Sequence, residues 1–137
     1  MATVVKKVAY FAMDIPNKPG EAACVLTGLA AAGVNMLAFT GFPSGRKAQI
    51  DIIPEKVTLF KKAAKALELK TKAQKFGFLV QGDDKKGAVA DLLAKLSEQK
   101  INVTAIDAVS AGKGRFGAIL WVKSTDVNKA AKALKAK

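Results

Sequence analysis

The stretch "IPNKPGEAACVLTGLAAAGVN", residues 15–35, is answered 67 positions later by "GDDKKGAVADLLAKLSEQKIN", residues 82–102. Gly20 and Gly87, Leu26 and Leu93, Leu29 and Leu96, Asn35 and Asn102, and Gly45 and Gly112 all keep that one offset. The register survives without a gap to "KKAAKAL" at residues 61–67 and "NKAAKAL" at residues 128–134. A constant offset over this length is the mark of a tandem duplication, with repeats at residues 1–70 and 71–137.

Each repeat changes its apolar period in the same order. Ala9, Phe11 and Met13, like Phe76, Phe78 and Val80, fall two apart with further apolar residues between them, as in a central strand. A loop with Pro or Gly follows. Ala22, Val25, Leu26 and Leu29, matched by Val89, Leu92, Leu93 and Leu96, then fall on one face of a helix. Residues 35–42 and 47–53 read as two strands around "PSGR", and residues 102–109 and 115–123 as two around "AGKGR". A second helix closes each repeat, with Phe60, Ala63, Ala64 and Leu67 inward, and Val127, Ala130, Ala131 and Leu134 in the copy. The order βαββα, twice, predicts an α+β fold of two ferredoxin-like repeats, antiparallel sheets with helices on one face. Nothing after Lys123 reads as a strand, so the second repeat's final edge strand is missing or shared, with residues 74–81 ending one repeat and starting the next.

Composition excludes several chemistries. At 137 residues, 50% apolar and 25% charged, the chain has enough apolar mass to bury a core. It has no His, which removes His-based triads, His metal sites and a histidine general base. Cys24 stands alone and forms neither an internal disulfide nor a CxxC site, which suits a reducing compartment. Lys6 and Lys7 precede only a short apolar run without a small-residue cleavage pattern, and the expected location is cytoplasmic. The apolar run at residues 22–39 owes its character largely to Ala, and its counterpart carries Asp91, Lys95, Glu98 and Lys100, so no membrane span is expected. "GKGRFG", residues 112–117, matches GxGxxG but lies in a hairpin with no helix after it to hold a pyrophosphate. No pair of carboxylates has a recognisable spacing and nothing activates Cys24. The expectation is a non-enzyme with no metal and no cofactor.

A strand running into "DIPNKPG", a helix "EAACVLTGLAAAG" and then "VNM" opening the next strand resembles the ACT domain, the small ligand-binding module of amino-acid metabolism. The second copy, "GDDKKGAVADLLAKLSEQKINV", is similar without the Pro. The resemblance implies a stand-alone pair of ACT domains, a regulatory protein that binds a free amino acid where the loop after the first strand meets the start of the first helix and the second strand of a neighbour. Carried over by position, the first-copy candidates are Asn17, Gly20, Glu21, Ala22, Val34 and Asn35, with Asp14 placed to meet an ammonium group. In the second copy they are Asp84, Gly87, Ala88, Val89, Ile101 and Asn102. Elementary physics agrees with the place, because the free N–H groups and positive dipole end of a helix receive a carboxylate. The "NKPG" copy keeps the closer match and is the favoured binder. The enzyme such a module would regulate is not written in the sequence.

The net charge of +12 raises nucleic acid as an alternative partner. Ten basic and five acidic residues precede position 71, and thirteen and six follow it, so the charge forms no single basic arm. Lys61, Lys62 and Lys65, with Lys129, Lys132 and Lys135, lie opposite the apolar stripe of each second helix, as a solvated face does. "RFGAILWV", residues 115–122, resembles part of an RNA-binding strand with Phe116 displayed, yet the adjacent strand offers Gly77 and Leu79 in place of an aromatic platform. On the first helix the outward positions differ between copies: Cys24, Thr27, Gly28, Ala31 and Ala32 stand where the second has Asp91, Ala94, Lys95, Glu98 and Gln99. Such a face is expected to be covered, in a homodimer or against the other repeat.

Overall fold

The computed structural model describes residues 3–137. Its elements are β1 (Val4–Pro16), α1 (Glu21–Ala31), β2 (Met36–Ser44), β3 (Lys47–Pro54), α2 (Val57–Ala66), β4 (Lys75–Asp83), α3 (Ala88–Glu98), β5 (Val103–Gly112), β6 (Arg115–Val122) and α4 (Val127–Ala133), with a 3-10 turn at Ser124–Asp126 before α4. The fold is α+β: the hydrogen-bonded strands follow the order β2-β3-β1-β4-β6-β5 in an antiparallel sheet, with four helices. The chain divides into two compact units, Ala9–Lys75 and Met1–Val8 with Phe76–Lys137.

In the unit Ala9–Lys75, strand alternation decides the inner face. Phe11, Met13 and Ile15 are buried, and Phe11 and Met13 stand opposite Ile52 and Ile50 of β3. Helix α1 lays Ala22, Val25, Leu26 and Leu29 onto the same cluster. Helix α2 adds Phe60, whose ring centroid lies 4.7 Å from that of Phe11. Burying a ring such as Phe60 completely stabilises the unit by about 2–3 kcal/mol. After α2 the chain passes beside β1, and the Lys72 N–H donates to the Ala12 carbonyl at 2.8 Å.

The other unit is built from β4, α3, β5, β6 and α4 around Phe78, Val80, Leu92, Leu96, Leu120 and Ala130. Val5 belongs to this core as well, although it precedes Phe78 by most of the chain. Within the unit, Thr3 lies against Gly82 and the Lys7 ammonium sits 4.6 Å from the Phe76 ring centroid. The place beside β4 that a terminal strand would take is therefore filled by residues 4–8 of β1. The reason is length: at 13 residues β1 is about twice an ordinary strand, long enough to serve both units. Lys137 adds a last pair of bonds, its N–H to the Val5 carbonyl at 3.0 Å and its carbonyl from the Lys7 N–H at 3.1 Å.

Backbone details repeat at the offset of 67 as well. Positive φ occurs at Gly20 and Gly87, Gly33 and Lys100, Gly45 and Gly112, and Glu68 and Lys135. These positions end or start corresponding elements in the two halves of the chain.

Candidate functional site

Helix α3 opens without a side-chain cap. Gly87 takes the left-handed conformation, φ 81° and ψ 4°, which swings the chain from the loop after β4 into the helix at no steric cost. The Ala88 N–H donates to the Lys85 carbonyl at 3.2 Å and the Asp91 N–H to the Gly87 carbonyl at 2.8 Å. Val89 and Ala90 occupy the remaining first-turn positions, whose N–H groups have no intrahelical partner and carry the positive end of the helix dipole.

Two carboxylates fix the loop against the β5–β6 hairpin. Asp83 faces Arg115 across the β4–β6 register, and Arg115 Nη1 donates to its Oδ1 at 2.9 Å. Asp84 accepts a bond from Ser110 Oγ at 2.8 Å, while its own N–H donates to the Gly114 carbonyl at 2.8 Å. Between loop, helix and hairpin lies an open cavity of about 400 Å³. Asp84, Lys85 and Gly87 of the loop, Ala88, Val89 and Ala90 of the first turn of α3, residues 108–110 of β5 and Phe116 line it; in the β5–β6 register Ser110 stands opposite Phe116 and Ala108 opposite Ala118 on one face of the sheet, and Val109 stands opposite Gly117 on the other. Phe116 is only 5% exposed and joins the core cluster, so it is not displayed on a sheet face as an RNA-binding aromatic would be.

Four of the second-copy candidates, Asp84, Gly87, Ala88 and Val89, meet in this cavity. Ile101 is instead a core residue whose N–H bonds the Leu96 carbonyl, and Asn102 is exposed; both stand at the other end of α3 from Gly87. In the first copy Gly20 repeats the left-handed start of its helix, φ 87°, with Glu21 N–H to Lys18 carbonyl at 3.4 Å. Glu21 and Ala22 are half-buried there and Asn17 is exposed. Asp14, expected at an ammonium group, lies 3.9 Å from Lys72 Nζ. Val34 is buried, and the Asn35 carbonyl accepts from the Glu55 N–H at 2.9 Å, a corner role.

The first copy departs where the cavity is made. At the offset of 67, Pro16 and Ala48 replace Asp83 and Arg115, Asn17 and Pro43 replace Asp84 and Ser110, and Gln49 replaces Phe116. Gln49 bonds Asp51 Oδ1 at 3.0 Å. Sequence reading missed Lys85, Ala90, Ala108, Val109, Ser110 and Phe116. The opposite charges of Asp83 and Arg115, at facing positions of a strand pair, were the available signal. Among the described residues no group of three or more His, Cys, Asp or Glu is placed to hold a metal, and no helix is long and apolar enough to cross a membrane.

Comparison with known families bears on this same segment. Residues 78–136 match the ACT domain. The matched segment thus contains the cavity, in the copy without the "NKPG" loop, whereas the motif had placed the closer resemblance in the first copy. No curated protein sequence matches the chain. Among solved structures, protein BT0572 from Bacteroides thetaiotaomicron is similar over 97% of this chain and 88% of its own, at 18% identity and a TM-score of 0.77. The ligand-free regulatory subunit of aspartate kinase from Thermus thermophilus is similar over 98% and 96%, at 16% identity and 0.68. The corresponding subunit from Thermus flavus gives 98% and 95%, 16% and 0.63. At these identities the likeness is one of fold, and it spans nearly the whole chain, beyond the matched ACT domain.

Proposed function

We propose that the chain is a non-catalytic regulatory protein that binds a free amino acid in the cavity of its ACT domain. The observation that carries this reading is the cavity itself, walled by the uncapped first turn of α3 and floored by Phe116. The ligand's carboxylate lies at the N–H groups of Val89 and Ala90, and the Asp84 side faces its ammonium. The regulatory subunits of aspartate kinase, which share the fold, support the regulatory half of the proposal. Residues 9–75 form the second ACT-like module of a tandem pair; the shared corners at the offset of 67 support this. In that module Gly20, Val34 and Asn35 serve the backbone, and Asp14, Asn17, Glu21 and Ala22 form no second binding site. The protein works as a cytoplasmic homodimer and passes its signal to a partner enzyme.

Isothermal titration of the full chain with each of the twenty amino acids tests the reading. A binder present at a hundred times its dissociation constant raises stability by about 2.7 kcal/mol. Silence from all twenty, in heat and in melting temperature, sinks it.

A further inference from the structure

We infer that Ser110 is a positioning residue of the cavity, holding the Asp84 carboxylate where the ammonium group of an amino acid meets it; this rests on the proposed function above. The Ser110 hydroxyl donates to Asp84 Oδ2 at 2.8 Å, reaching from β5 to the loop after β4. Both residues line the cavity, and Ser110 shares the sheet face of Phe116, its partner in the β5–β6 register. The backbone of Asp84 is held by the same hairpin, through its N–H to the Gly114 carbonyl at 2.8 Å. Main chain and side chain of Asp84 are thus fixed from two points of one hairpin.

The bond directs Asp84 without using it up. A carboxylate has two oxygens with about four lone-pair sites, and the hydroxyl takes one of them, which leaves Oδ1 for an N–H donor of the ligand. The contrast with Asp83 supports this division of roles. Asp83 is paired with a cation, Arg115, at 2.9 Å, whereas Asp84 is held by a neutral hydroxyl and keeps its negative charge for an ammonium. Asp84 is exposed, and an exposed ion pair gains little because mobile groups must be ordered to make it. A carboxylate already ordered by Ser110 removes that penalty from the protein's half of the pair, which raises affinity about three- to tenfold. The first copy lacks both members: Asn17 and Pro43 stand at the positions of Asp84 and Ser110, an uncharged amide and a ring without a hydroxyl.

The test is calorimetric titration with the twenty amino acids, each beside the carboxylic acid that lacks its amino group. It is run on the full chain, on Ser110→Ala, on Asp84→Asn and on the double variant. Ser110 and Asp84 are exposed, so the core is untouched, and circular dichroism checks the fold of all three variants. Ser110→Ala weakens the amino acid that the parent binds by about three- to tenfold and leaves its desamino acid unchanged. Asp84→Asn weakens the amino acid at least as much, and Ser110→Ala then adds nothing, because the hydroxyl acts only through the carboxylate. Where the desamino acid binds too weakly to titrate, the double variant decides. Ser110→Ala weakening both acids alike, leaving the amino acid unchanged, or adding its full loss to that of Asp84→Asn overturns the inference while the proposed function stands. Silence from all twenty amino acids in the parent overturns both.

Discussion

Two glycines show how differently one residue type is used. At Gly87 a Cβ would meet nothing within 4 Å, so its role is conformational, and Gly87→Ala costs about 1 kcal/mol for holding φ 81°. At Gly82 the limit is space: a Cβ would lie 2.6 Å from Thr3 Oγ1 and 2.8 Å from Phe116 Cε1. Gly82→Ala is therefore expected to destabilise by about 1–3 kcal/mol and, by moving Phe116, to alter the cavity floor. Urea melts of the two variants check the order; equal losses would contradict it. The first glycine was legible because both repeats show it before a helix, whereas the second depends on a strand from the far end of the sequence. Tyr10 supplies a pH prediction. Burial, and then the neighbouring Asp51 carboxylate, push its phenol above the ordinary value near 10. Asp51 is itself buried and bonded by Thr40 Oγ1 at 2.9 Å. Below pH 10 the phenol is protonated in both states and contributes no slope. Above it the unfolded chain ionises first, binds fewer protons, and stability falls as pH rises toward the folded value. The single tyrosine makes phenolate absorbance specific, and Tyr10→Phe should flatten the loss of stability on the alkaline side. A normal titration and an unchanged slope would refute this.

β1 is the element that sequence reading saw least well. Its alternation is plain from Ala9 to Met13, but Lys6 and Lys7 interrupt the apolar pattern, and the strand extends from Val4 to Pro16. Lys7 is tolerated because its ammonium rests on the Phe76 ring while the stem crosses apolar surface. A terminal strand was sought after Lys123, where none of the usual signals occurs; the chain had already made it before residue 9. Helix faces, by contrast, were legible because Leu29 and Leu96, or Phe60 and Val127, sit at the same spacing in both copies and are buried in both. The cavity depends on where a loop, a helix start and a hairpin converge, which periodicity does not encode. Val5→Ala tests the reach of β1. It should cost about 1–3 kcal/mol, and the loss should appear in amide exchange across β4 and β6, although these begin 70 and 110 residues further along the chain. Faster exchange confined to residues 9–75 would contradict the assignment of Val5 to the other core.

At the scale of the molecule, the sequence offset of 67 was the most legible property and association the least. Cys24, Thr27, Ala31 and Ala32 are exposed in the single chain. Gly28 has an intrachain reason, because a Cβ there would come within 3.3 Å of Leu67 Cδ1, and Leu67 is itself 41% exposed. The bare stripe of small residues with Leu67 beside it is the surface a homodimer would cover. Charge then gives the proposed dimer and the nucleic-acid alternative opposite signs. Each chain carries +12, so two copies repel, and added salt screens the repulsion. Dimerisation through an apolar face should tighten as salt rises. Binding to a nucleic acid releases counterions and should weaken steeply over the same range. Sedimentation of the chain at low and high salt, alone and with a DNA duplex, reads both. Replacing Ala31 by Glu and Ala32 by Gln, the residues the second copy uses at those positions, should shift the chain toward monomer while changing the stability of the single chain by no more than about 0.5 kcal/mol. Gly28 is left alone in this variant because of Leu67. A chain that stays monomeric at every salt concentration, with Cys24 reacting freely with a thiol reagent, defeats the dimer; a duplex complex that fades with salt would then favour the alternative.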